Sequence, residues 1–146
     1  MHKILDANEC LQFPHPEPYS GLLVTDDELK EFIKISTDQN KQSIIIFGAN
    51  WCPDARLLEG VLRLPTVKDF LKSNVNILNI DVGNYEINTN LFSYFDSEIE
   101  DGIPRVFIMD AKGKNINIHK NEVMRKAREF STQEIFNYFQ KFIVQV

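Results

Sequence analysis

Cysteine is scarce in this chain of 146 residues: Cys10 and Cys52 are the only two, too few for the disulfide framework that staples small secreted domains. No apolar run approaches the roughly 18 to 20 residues that a membrane-spanning helix needs, so no membrane span is expected. Positive charge is not in surplus either. Sixteen Lys and Arg stand against 21 Asp and Glu, a net charge of −5, which argues against general nucleic-acid binding because neutralising phosphates takes a basic surface. His2, His15 and His119 are scattered and, with two lone cysteines, offer no metal-ligand spacing, so neither a metal nor another cofactor is expected. No glycine-rich phosphate loop is present. Asp81 with Glu86, and Glu98 with Glu100 and Asp101, read as loop solvation and capping rather than as paired catalytic carboxylates. The segment after Met1-His2-Lys3 carries Asp6, Glu9 and prolines instead of an apolar stretch, unlike a secretory signal. As written, the chain is expected in the cytoplasm, with the periplasm as the alternative if Met1 begins a mature exported form.

What is present fits one soluble domain, long enough to bury a core without staples. Hydrophobic residues make up 43% and charged residues 25%. Charge is uneven: residues 1–110 hold 9 Lys and Arg against 18 Asp and Glu, residues 111–146 hold 7 against 3. A basic face exposed to water is the simple reading of that tail, and docking of an acidic partner the other. Pro14, Pro16 and Pro18 alternate in residues 1–24, which are expected to form an extended arm around a domain at 25–146. Thr25 is placed to cap a helix with Leu29, Phe32 and Ile33 on one face, ending at Asn40. Residues 43–48 are apolar on both faces, as in a central, covered strand. Pro53 suits the first position of a helix whose buried stripe is Leu57, Leu58, Val61 and Leu62, and Pro65 interrupts it.

Further along, residues 76–81 read as a strand, 89–95 as a helix and 105–109 as a strand. Asp110-Ala111-Lys112-Gly113 reads as a hairpin turn into a strand at 114–118. Two helices are expected at the end: 121–129, with Val123, Met124 and Ala127 inward, and 132–144, opened by the capping box that begins at Ser131. Alternating helices and strands followed by a late hairpin predict an α/β fold with a mixed sheet of four to five strands and helices on both faces.

The chemistry concentrates at Trp51-Cys52-Pro53-Asp54-Ala55-Arg56, which has the form of a dithiol redox motif with a methyl group in place of the second sulfur. Disulfide exchange needs a thiolate. A helix N-terminus and Arg56 would favour one at Cys52 and Asp54 would oppose it, while Trp51 would shield the sulfur.

These residues carry a family resemblance. The loop Gly48 to Asp54, the Gly102-Ile103-Pro104 sequence, and Leu78 to Asn84 with Gly113 resemble the thioredoxin-like superfamily over about residues 25–142. They are similar in particular to bacterial members with a Trp-Cys-Pro-Asp-Cys-Arg motif, and there is kinship to the C-terminal domain of the bacterial transmembrane thiol reductase. The resemblance implies a thioredoxin fold and a thiol–disulfide oxidoreductase in which Cys52 attacks a protein disulfide. It makes Pro104 cis and gives Trp51, Pro53, Ile103 and Pro104 to substrate binding. A thiol protein would supply electrons, without a cofactor, to a protein expected to be monomeric.

Two positions depart from that pattern. Ile46 stands where many thioredoxins bury a carboxylate, and Ala55 stands where the resolving cysteine belongs, so the mixed disulfide on Cys52 would stall. Three readings of Ala55 stand open. It is an engineered Cys→Ala change that traps or inactivates a dithiol enzyme, the reading that motif completeness favours; or it belongs to a natural monothiol enzyme linked to glutathione; or the fold is a peptide-binding module without redox chemistry. Cys10 reads as an unpaired thiol in the arm rather than as a resolving thiol.

Overall fold

The computed structural model describes residues 2–96, 98 and 100–145. Its centre is β1 (Gln42–Gly48), buried at every position. It pairs in parallel with β2 (Val75–Asp81) and antiparallel with β3 (Arg105–Met109), giving the order β2-β1-β3. Period-two alternation sends Ile44 and Ile46 to one face of the sheet and Ile45 and Phe47 to the other. The first face is covered by α2 (Pro53–Leu62), α3 (Pro65–Asn74) and α5 (Thr132–Phe142) through Leu58, Val61, Phe70, Phe136 and Phe139. The second is covered by α1 (Asp26–Asp38) and the single-turn α4 (Phe92–Phe95). Each of these large apolar side chains contributes about 1.5 to 3 kcal/mol by leaving water. On the second face Phe95 stacks on Phe107 at 4.1 Å, and Phe47 meets Phe107 edge-on at 5.8 Å.

Local signals set several boundaries. Thr25 and Glu28 exchange the two hydrogen bonds of a capping box at α1, and Ser131 and Glu134 do so at α5. Pro53 and Pro65 both open helices, where a missing N–H costs nothing.

Three expectations are corrected. The sheet has three strands among the described residues, not four or five: residues 114–118 form no strand, and pairing is limited to one bridge, Met109 to Asn115. Side-chain amides take over the outer edge of β3. Asn117 accepts from the Ile108 N–H at 2.8 Å and donates to the Val106 carbonyl at 2.7 Å, while Asn115 donates to the Ile108 carbonyl at 3.2 Å. Backbone bonds from the Ile116 N–H to the Ile108 carbonyl at 2.9 Å and from the Val106 N–H to the Asn121 carbonyl at 3.0 Å share this edge with the amides, and no continuous ladder forms beside β3. The helix expected at 121–129 is a 3₁₀ segment, Val123–Glu129, with non-helical backbone at Lys126. Its buried pair, Met124 and Ala127, lies three residues apart, the repeat of a 3₁₀ turn. The helix expected at 89–95 divides into a 3₁₀ turn, Thr89–Leu91, and α4.

Among the described residues, those before α1 form no regular element, yet they are tied down along α2. The Glu9 carboxylate accepts from the Thr66 N–H and hydroxyl in the first turn of α3. Arg56 donates to the His15 carbonyl at 2.7 Å and to that of Pro16 at 3.4 Å. Tyr19 and Asn50 make a reciprocal pair, the Tyr19 N–H donating to Asn50 Oδ1 at 3.1 Å and Asn50 Nδ2 donating to the Tyr19 carbonyl at 2.7 Å. No helix among the described residues is long and apolar enough to cross a membrane.

Candidate functional site

Strand β1 ends at Gly48, where the Tyr19 phenol fills the space a Cβ would need. Burial pushes the Tyr19 phenol well above its ordinary range, so this ring is a neutral wedge under the loop that follows. Asn50, held by the arm, begins the turn, and the Cys52 N–H closes it by donating to the Ala49 carbonyl at 3.1 Å. Cys52 is then the N-cap of α2, in extended backbone, and its side chain makes no capping hydrogen bond. The sulfur turns instead toward the Ile103 carbonyl, at 3.8 Å. The Ile103–Pro104 peptide is cis.

An open groove of about 590 Å³ lies over this sulfur. It is lined by Trp51, Tyr85, Gly102 and Ile103 and, from the 3₁₀ segment, by Arg125 and Lys126. Trp51 is 52% exposed and Cys52 only 6%, so the indole rather than the sulfur meets solvent. The indole is held: its N–H donates to the Gly83 carbonyl at 2.6 Å, and its ring meets Tyr85 edge-on at 5.9 Å. Burial, and then the neighbouring Cys52, push the Tyr85 phenol up from its usual range.

Of the residues singled out from the sequence, Trp51, Cys52 and Ile103 line this groove. Pro53 and Pro104 flank it without lining it, Pro53 as the exposed first residue of α2 and Pro104 buried before β3. Ala55 is 1% exposed and packed in the core that α1 and α4 share with Cys52. Ile46 packs on the other face, among α2, α3 and α5.

Asp54 and Arg56 do not act as the sequence suggests, as charges aimed at the sulfur. The Asp54 carboxylate accepts from the backbone N–H and Nε of Arg128, at 2.9 and 3.1 Å, and Arg56 is turned to the arm. Cys10 is exposed, with its neighbours Glu9 and Leu11 set against Thr66 and Gly60. Gly60 lies about 12 Å along α2 from Cys52 at 1.5 Å per residue, beyond the Cα separation of about 7 Å that a disulfide tolerates.

Sequence reasoning missed Tyr19, Asn50, Tyr85 and Arg125. The only local trace of Arg125 was the excess of positive charge after residue 110. Among the described residues, no cluster of three or more His, Cys, Asp or Glu is arranged to hold a metal ion.

Comparison with known proteins agrees with this geometry. No curated protein gives a significant match. A solved disulphide isomerase from Xylella fastidiosa Temecula1 is 30% identical, with a TM-score of 0.76 over 86% of this chain and 96% of that one. The C-terminal domain of Neisseria meningitidis DsbD, in its oxidised form, shares the fold at 14% identity and a TM-score of 0.57, over 84% of this chain and 99% of that one. The family model described as thioredoxin matches residues 19–131, and the chain belongs to the thioredoxin family of disulfide oxidoreductases.

Proposed function

We propose that this protein exchanges disulfides with cysteine-bearing protein segments through Cys52, and that it does so as a monothiol. The observation that carries this reading is the position of the sulfur: an N-cap residue of α2 whose side chain caps nothing, facing the Ile103 carbonyl, with both residues lining an open groove. The first turn of a helix leaves N–H donors and partial positive charge beside such a sulfur.

The exchange balances without a cofactor. The Cys52 thiolate attacks one sulfur of the substrate disulfide, a Cys52–substrate disulfide forms as the substrate's own S–S bond breaks, and the departing thiolate takes up a proton. Trp51, Pro53, Ile103 and Pro104 frame the segment being attacked. Because residue 55 is alanine, no second sulfur of the motif reverses the step, and release waits for an external thiol, either glutathione-like or from a donor protein. Ala55 thus stands where a resolving cysteine would complete a dithiol enzyme, whether it was placed there by design or by nature.

Incubation with a peptide disulfide followed by non-reducing intact-mass measurement tests the reading. With Cys10→Ser as the background, since that exposed thiol would also react, a mass increase of one peptide, absent when Cys52→Ser is added and reversed by dithiothreitol, is expected. Ala55→Cys should convert the stalled adduct into turnover of a model disulfide. A Cys52→Ser chain that binds the peptide as well as the parent, together with no covalent adduct in the parent, sinks the reading in favour of a redox-silent binding module.

A further inference from the structure

The redox motif brings its own cation, Arg56, but the structure commits that guanidinium to the His15 and Pro16 carbonyls of the arm. The groove receives a different one. Arg125, in the 3₁₀ segment, lies so close over Gly102 that a methyl group built on Gly102 would collide with its guanidinium. Gly102 adjoins Ile103, whose carbonyl faces the Cys52 sulfur at 3.8 Å. The absence of a side chain at Gly102 therefore admits a planar cation to the lining of the groove that Cys52 also lines.

Arg125 is weakly engaged there. Its ion pair with Glu122 is 4.0 Å long, and the two side chains are 41% and 66% exposed. It is the only ion pair of Arg125 among the described residues. Behind it sits Arg105, 5% exposed, which donates to the Asn121 side chain and the Glu100 carbonyl. Burial, and then the nearby Arg125, hold the Arg105 guanidinium below its usual range. Two guanidiniums thus repel one another, and an added anion in the groove relieves that repulsion. Lys126, also lining the groove, adds a third positive charge. The opposing carboxylates are Glu122, mostly in water, Asp101 near Tyr85, and Asp96, Glu98 and Glu100 in a second cavity that Arg125 also lines.

We infer that Arg125 is a specificity residue that reads a carboxylate beside the reactive cysteine of the substrate, so that the protein selects acidic cysteine peptides. The inference rests on the proposed role of Cys52 and adds the substrate class. The guanidinium presents paired N–H donors that suit a carboxylate, and Gly102, lacking a side chain, leaves room for them in the groove lining. The acidic group belongs to the residue flanking the substrate cysteine in a protein segment, or to a small tripeptide such as glutathione. Both supply the same chemistry.

The test uses the full chain and mixed disulfides of three matched peptides, Cys flanked by Glu, Gln or Lys, with glutathione disulfide as a fourth substrate. Second-order rates of adduct formation on Cys52 are measured at one pH in low and high salt. The Glu peptide is expected to react about fivefold faster than the Gln peptide, the scale of a partly exposed ion pair, with the Lys peptide slowest and the spread shrinking in salt. Arg125→Gln should erase the ratio, Arg125→Glu invert it, and Arg125→Lys retain part of it.

Because the readout is a ratio between peptides, a change in folding or in Cys52 reactivity moves all rates together and leaves the ratio intact. Fast reaction of glutathione disulfide with little spread among the linear peptides assigns the anion to the small thiol. Reaction of all four at equal rates, or an unchanged ratio in Arg125→Gln, overturns the inference alone; reaction of none overturns the role of Cys52 as well.

Discussion

Two segments flank the redox helix α2, and they hold it by different physics. On one side the arm grips the motif through groups of fixed geometry: Asn50 makes two hydrogen bonds to the Tyr19 backbone, and Arg56 reaches two backbone carbonyls. On the other side the 3₁₀ segment Val123–Glu129 presents charge, with Arg128 on Asp54 and Arg125 over Gly102. The first kind of contact is short-range and indifferent to salt; the second is screened by it. The arm side is therefore scaffold, fixing where Cys52 stands, and the 3₁₀ side is a surface on which a partner's charge is felt.

The comparison breaks most decisively at the Tyr19 and Gly48 contact. Tyr19→Ala should cost about 3 kcal/mol by emptying a buried aromatic site, and Gly48→Ala about 2 kcal/mol by overpacking against the ring, both measured by urea unfolding. Adding Gly48→Ala to Tyr19→Ala should cost far less than Gly48→Ala alone, since the alanine methyl then has room. Additive costs would show that the ring is not what excludes a side chain at 48.

Next in size is Asn50→Ala, which strands the Tyr19 N–H and carbonyl and should cost about 1 to 2 kcal/mol. Its distinctive sign is faster amide exchange in residues 15–20, unchanged by salt. The matching cut on the other side, Asp54→Asn, should cost less than about 1 kcal/mol, because Arg128 is largely in water. That difference should vanish in 1 M salt. If Asn50→Ala proves the salt-sensitive variant and Asp54→Asn the insensitive one, the division between scaffold and surface is reversed.

The smallest effect belongs to Glu9. The Thr66 N–H holds its carboxyl below the usual carboxylate range, outweighing the opposing effect of burial. A depressed folded-state pKa means that its contribution is complete above the ordinary glutamate value of about 4.3 and fades as the pH falls through the lower folded value. Protection of the amides at 5–12, measured against the intrinsic exchange rate at each pH, should fall in that acid range, and Glu9→Gln should remove that fall.

Much of this arrangement was legible in the sequence because it is local. Four consecutive β-formers gave the central strand, Pro53 gave a helix start and Pro65 the break after it, and Thr25 and Ser131 gave caps within one turn of the residues they serve. The pairing of the Cys52 loop with Gly102-Ile103-Pro104 was accessible only through family resemblance, since 51 residues separate the sulfur from the carbonyl it faces. What failed to show was the choice of partner by polar side chains. Nothing in the period-two pattern at 114–118 reveals that Asn115 and Asn117 will satisfy β3 with amides. Likewise, the spacing of Arg56 from Cys52 places it one turn into α2 without revealing that the arm offers it better acceptors.

The placement of Cys10 carries a consequence of its own. With one thiol at the α3 end of α2 and the other at its N-terminus, the two cannot meet inside this folded arrangement. Every disulfide the chain forms while folded in this way then joins two molecules. Its oxidation is second order in protein and partner, and the oxidised fraction follows concentration as well as the potential of the surroundings. Dilution alone, at fixed potential, should return the population to the thiol form.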